Sequence, residues 1–382
     1  MSTPAAVGAS LDRLQGSPTL RPFVKWPGGK SAELREIAAV APALVGRYVD
    51  PFVGGGSVLL AVPASVPAVA NDACPELVRL YAGIAERDPD LTSALDGVAA
   101  AWDAVSELRV PLAELAAAYR AGADPARVAR ACEALLGSDV DHLRAAGPGL
   151  AERFSARLGD DVAAKLARMR GVEARAGHAL SDVDLLANVE GAVKAALYLS
   201  VRERYNAGRA ADDGSWWRVA DFVFLREYAY AAMFRFNARG EFNVPYGGVS
   251  YNGKSLRDKL DRAYRPEMVE RLARTTWGSG DFEPFLAEVE PTGGDFVFVD
   301  PPYDSDFSDY DNRAFTTSDQ ARLEAVLRRL SCPVMVVIKQ SPLVRELYSA
   351  SHWNVRTADK TYMWTIKSRN DRSAVHLTIT NY

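Results

Sequence analysis

The stretch "RYVDPFVGGGSVLLA", residues 47–61, decides the fold of this chain. Its first apolar residues stop at Asp50–Pro51, and Gly54–Gly56 precede a second apolar run. This order predicts a short strand, a glycine turn and the start of a helix. The stretch "VPAVANDACPELVRLYAGIAE", residues 66–86, repeats the order, with a strand and then a helix from Pro75. Two strand–turn–helix units in succession predict parallel strands, so we expect an α/β protein.

The C-terminal part of the chain has the same pattern and follows a long helical middle. Residues 86–193 are rich in Ala and Leu at helical spacing and predict several helices. Phe296–Val299 predicts a buried strand, and "DQARLEAVLRRL" (319–330) predicts an amphipathic helix. "PVMVVIKQ" (333–340) predicts another buried strand, and "AVHLTITNY" (374–382) an alternating one.

Composition excludes several classes of protein. The chain has 382 residues, of which 48% are hydrophobic and 25% charged, as in ordinary globular proteins. It lacks both the run of about 18 apolar residues that a membrane span needs and the pattern of a signal peptide. We therefore expect a cytoplasmic protein without a membrane partner. The three cysteines and four histidines are scattered, so we expect neither a disulfide framework nor a metal site.

Charge alone does not identify a partner. The net charge is −4, which argues weakly against nucleic acid. Residues 201–272 nevertheless contain 13 Lys or Arg and 10 Asp or Glu, so this region is mildly basic inside an acidic chain. An ordinary solvated surface would show the same balance.

The segment "VFVDPPYD" carries the main chemical signal. A buried strand brings Asp300 to its carboxyl end, which is where ligands bind in open α/β sheets. Pro301 and Pro302 have no N–H groups, so their carbonyl oxygens remain as acceptors, and Tyr303 adds an aromatic face. An acid, a carbonyl and a ring suit a planar group with an exocyclic NH₂. The alternative interpretation is a simple turn at the end of a strand.

The glycine turn indicates a second ligand contact. Gly54 and Gly56 allow a ligand to approach the backbone closely. Asp72, about twenty residues after the start of this turn, is placed to hold a ribose hydroxyl pair. A dinucleotide site has similar features, but Leu59 occupies the third position of the G-x-G-x-x-G pattern.

"FVKWPGGKS", residues 23–31, ends like a phosphate-binding loop. A Walker A loop has a glycine six residues before its lysine, and Val24 stands at that distance from Lys30. Val24 is poorly suited to the positive φ and close phosphate approach that glycine permits. The stretch therefore does not predict a nucleotide triphosphate site.

The motifs together resemble one family, the Dam-type DNA adenine-N6 methyltransferases. The resemblance covers about 23–81 and 198–382, and excludes the helical middle. It rests on "KWPGGK", "DPFVGGGSV", "NDACPELVRLY", "RFNARGEFNVPYG", "DPPY" and the terminal "TNY", in that order. The resemblance implies a Rossmann-like methyltransferase sheet with an inserted, mostly helical DNA-recognition region. It further implies methyl transfer from S-adenosylmethionine to adenine N6 in double-stranded DNA, with the target base flipped out of the duplex and with no metal.

The resemblance also implies roles for individual residues. The catalytic segment is Asp300, Pro301, Pro302 and Tyr303, with Tyr303 as the stacking surface for the flipped adenine. The cofactor residues are Trp26, Lys30, Asp50, Phe52, Gly54, Gly56, Asp72, Asp281, Phe282 and Asp300. The DNA-binding residues are Lys25, Arg202, Arg235, Asn237, Arg239, Asn243 and Tyr246. The side chains of Asn237 and Asn243 equally suit turn capping.

These assignments divide the chain into five segments. They are a flexible leader (1–20), the first part of the catalytic domain (21–85), a helical insertion (86–194), a target-recognition region (195–275) and the second part of the catalytic domain (276–382). The sequence after Gly247, "GVSYNGKSLRDKL", departs from the segment typical of enzymes that modify GATC. The recognition sequence therefore stays unassigned.

Four alternative classes of protein share some of these features. Cytosine-N4 and glutamine methyltransferases share the amine chemistry, but usually have Ser or Asn before Pro-Pro-Tyr. A cytosine-C5 enzyme needs a thiol nucleophile, and neither Cys74 nor Cys332 follows a proline. A non-catalytic DNA-binding or cofactor-sensing protein of a defence complex would use the helical insertion as its working surface. We also expect that insertion to be the place for a protein partner.

Overall fold

The computed structural model describes residues 12–15, 20–44, 46–122, 124–136, 141–209, 214–302, 315–349, 351–361 and 373–382. The chain divides into two compact units. The sheet unit comprises Met1–Pro22, Gly28–Glu86 and Arg265–Tyr382. The helical unit comprises Phe23–Pro27 and Arg87–Tyr264.

The strands and helices are numbered along the chain. The strands are β1 (Asp12–Arg13), β2 (Ala43–Leu44), β3 (Tyr48–Asp50), β4 (Ala68–Asp72), β5 (Thr275–Ser279), β6 (Phe296–Val299), β7 (Val334–Lys339), β8 (Asn354–Thr361) and β9 (Ser373–Thr380). The α-helices are α1 (Leu34–Val40), α2 (Pro75–Glu86), α3 (Pro89–Glu107), α4 (Arg109–Arg120), α5 (Pro125–Leu136), α6 (Asp141–Ala145), α7 (Leu150–Ala176), α8 (Asp182–Arg209), α9 (Trp216–Tyr228), α10 (Arg257–Ala263), α11 (Pro266–Ala273), α12 (Phe282–Val289), α13 (Thr317–Leu327) and α14 (Pro342–Leu347).

The sheet unit is built on a seven-stranded sheet in the order β5-β4-β3-β6-β7-β9-β8. The strands from β5 to β7 in this order run parallel, whereas β9 is antiparallel to both of its neighbours. The central strand β6 pairs with β3 and β7, and all of its residues are buried. The fold prediction of an α/β protein with a methyltransferase-like sheet is confirmed.

The strand predicted at Phe296–Val299 and the helix predicted from Pro75 are present with those bounds. The helix predicted after the glycine turn is wrong, because only a 3₁₀ turn forms at Leu59–Ala61. Val62 is extended, with φ −72° and ψ 130°. Pro63 explains this, since a residue before proline is driven out of the helical region.

Part of the predicted leader has regular structure. β1 pairs with β2, and the N–H of Gln15 donates to the carbonyl of Ala61 at 3.0 Å. The leader residues 1–11 and 16–19 lie outside the described residues.

The helical unit packs long helices around buried aromatic side chains. α7 lies against α5 and α8, and α9 lies against α3 and α8. Trp102 of α3 stacks on Tyr228 of α9 with ring centroids 3.7 Å apart, and its indole N–H donates to the carbonyl of Lys254. Helix α8 runs without a break through residue 194, where the sequence-based boundary between insertion and recognition region falls.

A small hairpin follows α9 in the helical unit. The N–H of Asn237 donates to the carbonyl of Glu241, and the N–H of Asn243 donates to that of Arg235. Phe236 and Phe242 pair across the hairpin and bury their rings. Within the described ranges, no helix combines the length and apolar character needed to cross a bilayer.

Candidate active site

The site lies where the strand order of the sheet reverses. β3 has β4 on one side and β6 on the other, so the chain winds outward from β3 in both directions. In open α/β sheets, the crevice at the carboxyl ends of such strands binds ligands. Asp50 ends β3, Asp72 ends β4 and Asp300 follows β6. The topology therefore brings three of the predicted carboxylates to one edge.

Lys30 and Asp300 form the central contact of this edge. Nζ of Lys30 lies 2.5 Å from Oδ1 of Asp300 and 2.9 Å from the carbonyl oxygen of Gly28. The Lys30 side chain is 1% exposed, whereas that of Asp300 is 21% exposed. Burial raises the pKa of Asp300, and the charge and hydrogen bond of Lys30 oppose that rise. Lys30 thus favours the ionised form of a carboxylate that solvent still reaches.

Glu33 and His376 form a second side-chain pair in this region. Glu33 follows the 3₁₀ turn that begins at Lys30, and its N–H donates to the Lys30 carbonyl at 2.9 Å. Its Oε2 lies 3.0 Å from Nδ1 of His376, a buried residue of β9. Glu33 raises the pKa of Asp300 and His376 lowers it. Sequence analysis missed this pair, because its members are 343 positions apart and belong to no recognised motif.

Asp72 braces the glycine turn. Its Oδ2 accepts the N–H of Gly54 at 2.9 Å, and its Oδ1 accepts the N–H of Cys74 at 2.9 Å. The hydroxyl of Tyr81 donates to the Gly54 carbonyl at 2.9 Å. Gly54 and Gly56 have φ values of 48° and 73°, which glycine adopts without a Cβ penalty. A carboxylate oxygen can accept more than one hydrogen bond, as a ribose contact would require.

Asp50 is buried at the end of β3. The hydroxyl of Tyr48 and the N–H of Phe52 donate to its carboxylate at 2.8 and 3.1 Å. Burial raises the pKa of Asp50 to about 7, against the effect of these two hydrogen bonds. The negative charges of Asp300 and Asp72 add to the rise. Asp50 therefore changes charge near neutral pH.

This titration gives a testable pH dependence. If a cationic methyl donor binds at this edge, its affinity for the parent protein rises from pH 6 to 8, because Asp50 becomes negative over that window. We expect a gain of about 3–10-fold that Asp50→Asn lacks, measured by calorimetry with S-adenosylmethionine. Dividing the parent profile by the variant profile removes the titration of the ligand itself. Parallel pH profiles of affinity for the parent and for Asp50→Asn would contradict the assignment of this titration to Asp50.

Aromatic side chains form one wall beside the glycine turn. Phe52 lies 5.5 Å from Phe282 and 5.7 Å from Phe315 between ring centroids. Asp281 caps α12 by accepting the N–H of Glu283, and its other oxygen pairs with Arg322 at 2.8 Å. The guanidinium of Arg322 lies 4.6 Å from the Phe282 ring centre. Phe282 is thus buried in the core, with Asp281 fixed at its edge.

The predicted site residues divide between the two units. In the sheet unit are Lys30, Asp50, Phe52, Gly54, Gly56, Asp72, Asp281, Phe282, Asp300, Pro301 and Pro302. In the helical unit are Lys25, Trp26, Arg202, Arg235, Asn237, Arg239, Asn243 and Tyr246. Tyr303 lies outside the described residues.

Several of the predicted DNA-binding side chains have internal partners. Oδ1 of Asn237 accepts the N–H groups of Arg239 and Glu241, so this side chain caps the hairpin turn. Arg202 donates to the carbonyl of Val244. The hydroxyl of Tyr246 donates to Oδ1 of Asn252 at 2.8 Å.

Arg235 and Arg239, by contrast, are exposed on the hairpin. Nε of Arg235 lies 3.4 Å from Oδ1 of Asn243, so these two side chains lie side by side. Sequence analysis missed Tyr230, which is 52% exposed beside Ala231 and Ala232, both with φ of 52°. Such left-handed backbone in residues other than glycine concentrates at functional sites, and no sequence pattern marks it.

The fold and this site define a Rossmann-like methyltransferase. The model of the "D12 class N6 adenine-specific DNA methyltransferase" family matches residues 26–100 and 170–362, which is more than half of the chain. The chain belongs to this family, and its reaction is methyl transfer to N6 of adenine in DNA. Residues 101–169 of the helical unit lie outside the match.

Individual relatives agree with this family. The chain is 23% identical over 377 residues to "Type II methyltransferase M1.LlaDCHI" of Lactococcus lactis subsp. cremoris, covering 95% of this chain and 96% of that protein. It is 24% identical over 321 residues to "Type II methyltransferase M.MjaIII" of Methanocaldococcus jannaschii, covering 81% and 80%. It is 32% identical over 154 residues to "Retron Ec67 DNA adenine methylase" of Escherichia coli, covering 40% and 50%.

Proposed function

We propose that Asp300 and the carbonyl oxygen of Pro301 accept hydrogen bonds from the two hydrogens of the adenine N6 amino group. The contact between Lys30 and Asp300 carries this proposal, because it favours an ionised acceptor at the ligand-binding edge. The Pro302 carbonyl already accepts Nε2 of the buried Gln320 at 2.9 Å, which fixes the segment after Asp300. Pro301 is therefore the better of the two proline acceptors.

These two acceptors act on the nucleophile. The lone pair of adenine N6 is delocalised into the ring, so the free amine is a poor nucleophile. Hydrogen bonds to both N–H groups draw the nitrogen toward tetrahedral geometry and direct its lone pair outward. Orientation and preorganised charge then provide most of the acceleration.

The same edge fits S-adenosylmethionine, the methyl donor that methyltransferases generally use. Gly54 and Gly56 have positive φ and carry no Cβ that would obstruct a ligand, and the carboxylates of Asp50, Asp72 and Asp300 suit a cationic ligand with hydroxyl groups. When bound, the donor supplies a methyl group activated on a sulfonium. Asp72 would hold the ribose, and Phe282 with Asp281 would border the adenine. Lys30 would lie toward the methionine part, and the same role for Trp26 stays a prediction.

DNA contacts are proposed for the helical unit. Arginine reads guanine edges in the major groove with two hydrogen bonds, and the exposed Arg235 and Arg239 on the hairpin suit this role. Asn237 holds that hairpin in shape. Tyr230 offers an exposed ring on which a base can stack. A role for Tyr303 in stacking on the flipped adenine stays a prediction, as does a protein partner for the helical insertion.

Flipping of the target base can be tested directly by fluorescence. A duplex with 2-aminopurine in place of the target adenine should become several-fold more fluorescent on binding, because flipping removes stacking at a cost of a few kcal/mol. Sequencing of DNA methylated by the purified protein first identifies the target position. A duplex with 2-aminopurine outside the target site is the control. Equal fluorescence from both duplexes would contradict flipping without contradicting methylation.

A further inference from the structure

Three lysines of the helical unit lie near one another and near one carboxylate, and we call this group the lysine cluster: Lys25, Lys254 and Lys259, with Glu227. Nζ of Lys25 lies 2.8 Å from Oε1 of Glu227 and 3.2 Å from its carbonyl oxygen. Lys259 forms an ion pair with Oε2 of the same residue. Nζ of Lys254 lies 2.9 Å from the ring centre of Tyr251, and that of Lys25 lies 5.8 Å from it.

The cluster has more positive than negative charge. Two of the three ammonium groups, those of Lys25 and Lys259, pair with the Glu227 carboxylate, which is only 5% exposed. Burial lowers the pKa of Lys254 to about 8, and the neighbouring charge of Lys25 adds to this effect. Burial also lowers the pKa of Lys259. Like charges brought together out of water repel each other, so an added anion would stabilise the cluster.

The cluster is held in place and open to solvent. The carbonyl of Lys254 accepts hydrogen bonds from Trp102 and Tyr228, and Nε of Arg226 donates to the carbonyl of Lys25. The side chain of Lys25 is nevertheless 32% exposed. An anion can therefore approach without any rearrangement of the backbone.

The cluster is continuous with the exposed surface around Tyr230. The hydroxyl of Tyr251, whose ring lies under Lys254, accepts the N–H of Ala231 at 3.1 Å. Ala231 follows the exposed Tyr230. A ligand on the cluster would thus lie next to a surface already proposed to contact DNA.

We propose that the lysine cluster binds a backbone phosphodiester of the DNA substrate, with Lys254 and Lys259 as contacts that no sequence motif marks. This inference rests on the proposed DNA interface. A phosphate suits the cluster better than a base edge does, because lysine ammonium groups act as point charges without the planar geometry of arginine. Glu227 positions Lys25 and Lys259. Because it carries a single negative charge, the remaining positive charge of the three lysines is available to bind the phosphate.

Salt-dependent DNA binding tests the proposal. Each phosphate neutralised by a protein cation contributes about 0.9 to the slope of log K against log salt. We expect Lys254→Gln to reduce that slope by about 1 and to weaken binding by about 3–10-fold near 0.1 M salt, measured with a duplex of about 24 base pairs. Lys254→Arg keeps the charge and should retain the parent slope. Lys165→Gln, on α7 outside the family match, removes the same charge and should also retain it.

The pH dependence is a second readout. Lys25, Lys259, Glu227 and Tyr251 face Lys254, and its pKa of about 8 places its loss of charge between pH 7 and 9. DNA affinity of the parent should fall over that range more than affinity of Lys254→Gln does. Inorganic phosphate should compete with DNA for the parent at lower concentration than for the variant.

The outcomes separate this inference from the proposed function. Asp300→Asn, which removes the proposed catalytic acceptor, should keep the parent salt slope of DNA binding, so different variants test the phosphate contact and the catalytic role. An unchanged slope and affinity in a folded Lys254→Gln would overturn the phosphate site and leave the catalytic proposal intact. Loss of S-adenosylmethionine binding in that variant would also overturn it, because the lysines would then serve only to hold the fold together.

Discussion

Asp300→Asn is expected to lower kcat for methyl transfer by about 100–1000-fold, the range found when one preorganised group at a reacting centre is removed. The substitution replaces a charged acceptor with a neutral amide of nearly the same size. It also leaves Nζ of Lys30, now 2.5 Å from Oδ1, without its carboxylate partner. Both changes weaken the polarisation of the adenine amino group. Single-turnover transfer of a labelled methyl group at saturating DNA and cofactor measures this effect.

The control for this experiment is Asp90→Asn, which makes the same chemical change at an exposed position in the first turn of α3. It should keep the parent kcat. The Asp300 variant should remain folded, as judged by thermal unfolding and by duplex binding. Near-parent turnover by Asp300→Asn would remove the proposed acceptor role, while the family membership would stand.

Lys30→Gln has the second largest expected effect, and its signature is a shift in pH dependence. Burial raises the pKa of Asp300, and Lys30 opposes that rise by its charge and its hydrogen bond. Without Lys30 the pKa of Asp300 moves further upward, so a smaller fraction of the Asp300 carboxyl group is ionised at a given pH. We expect kcat/KM to fall by about 10–100-fold at pH 7 and its acidic limb to move to higher pH.

Raising the pH should therefore recover part of the activity of Lys30→Gln. Lys30→Arg restores a positive charge and should return the acidic limb toward its parent position. Uniform loss of activity at every pH, with no shift of the limb, would show that Lys30 acts on cofactor binding alone. Measuring the affinity for S-adenosylmethionine in the same variants separates the two roles.

The features of the site that depend on short stretches of sequence could be predicted, whereas contacts between distant segments could not. The glycine turn, the strand before Asp300 and the helix from Pro75 are short-range features, and the structure has them. The prediction of a helix after the glycine turn was wrong, because Pro63 disfavours the helical conformation of the residue before it. The pair of Glu33 and His376 could not be found, because it depends on which strands become neighbours.

The sequence by itself determined the order of the strand–turn–helix units, the residues at the carboxyl ends of the strands and the family. These depend on hydrophobic periodicity, turn chemistry and short motifs, which are written along the chain. Only the tertiary structure decided that Lys30 contacts Asp300 and that Lys25 and Lys259 both pair with Glu227. It also decided that the pKa of Asp50 is near 7, since burial sets that value. Burial and contacts between distant segments come from packing. The stretch "FVKWPGGKS" therefore does not show by itself that Lys30 lies beside Asp300, the residue that follows β6.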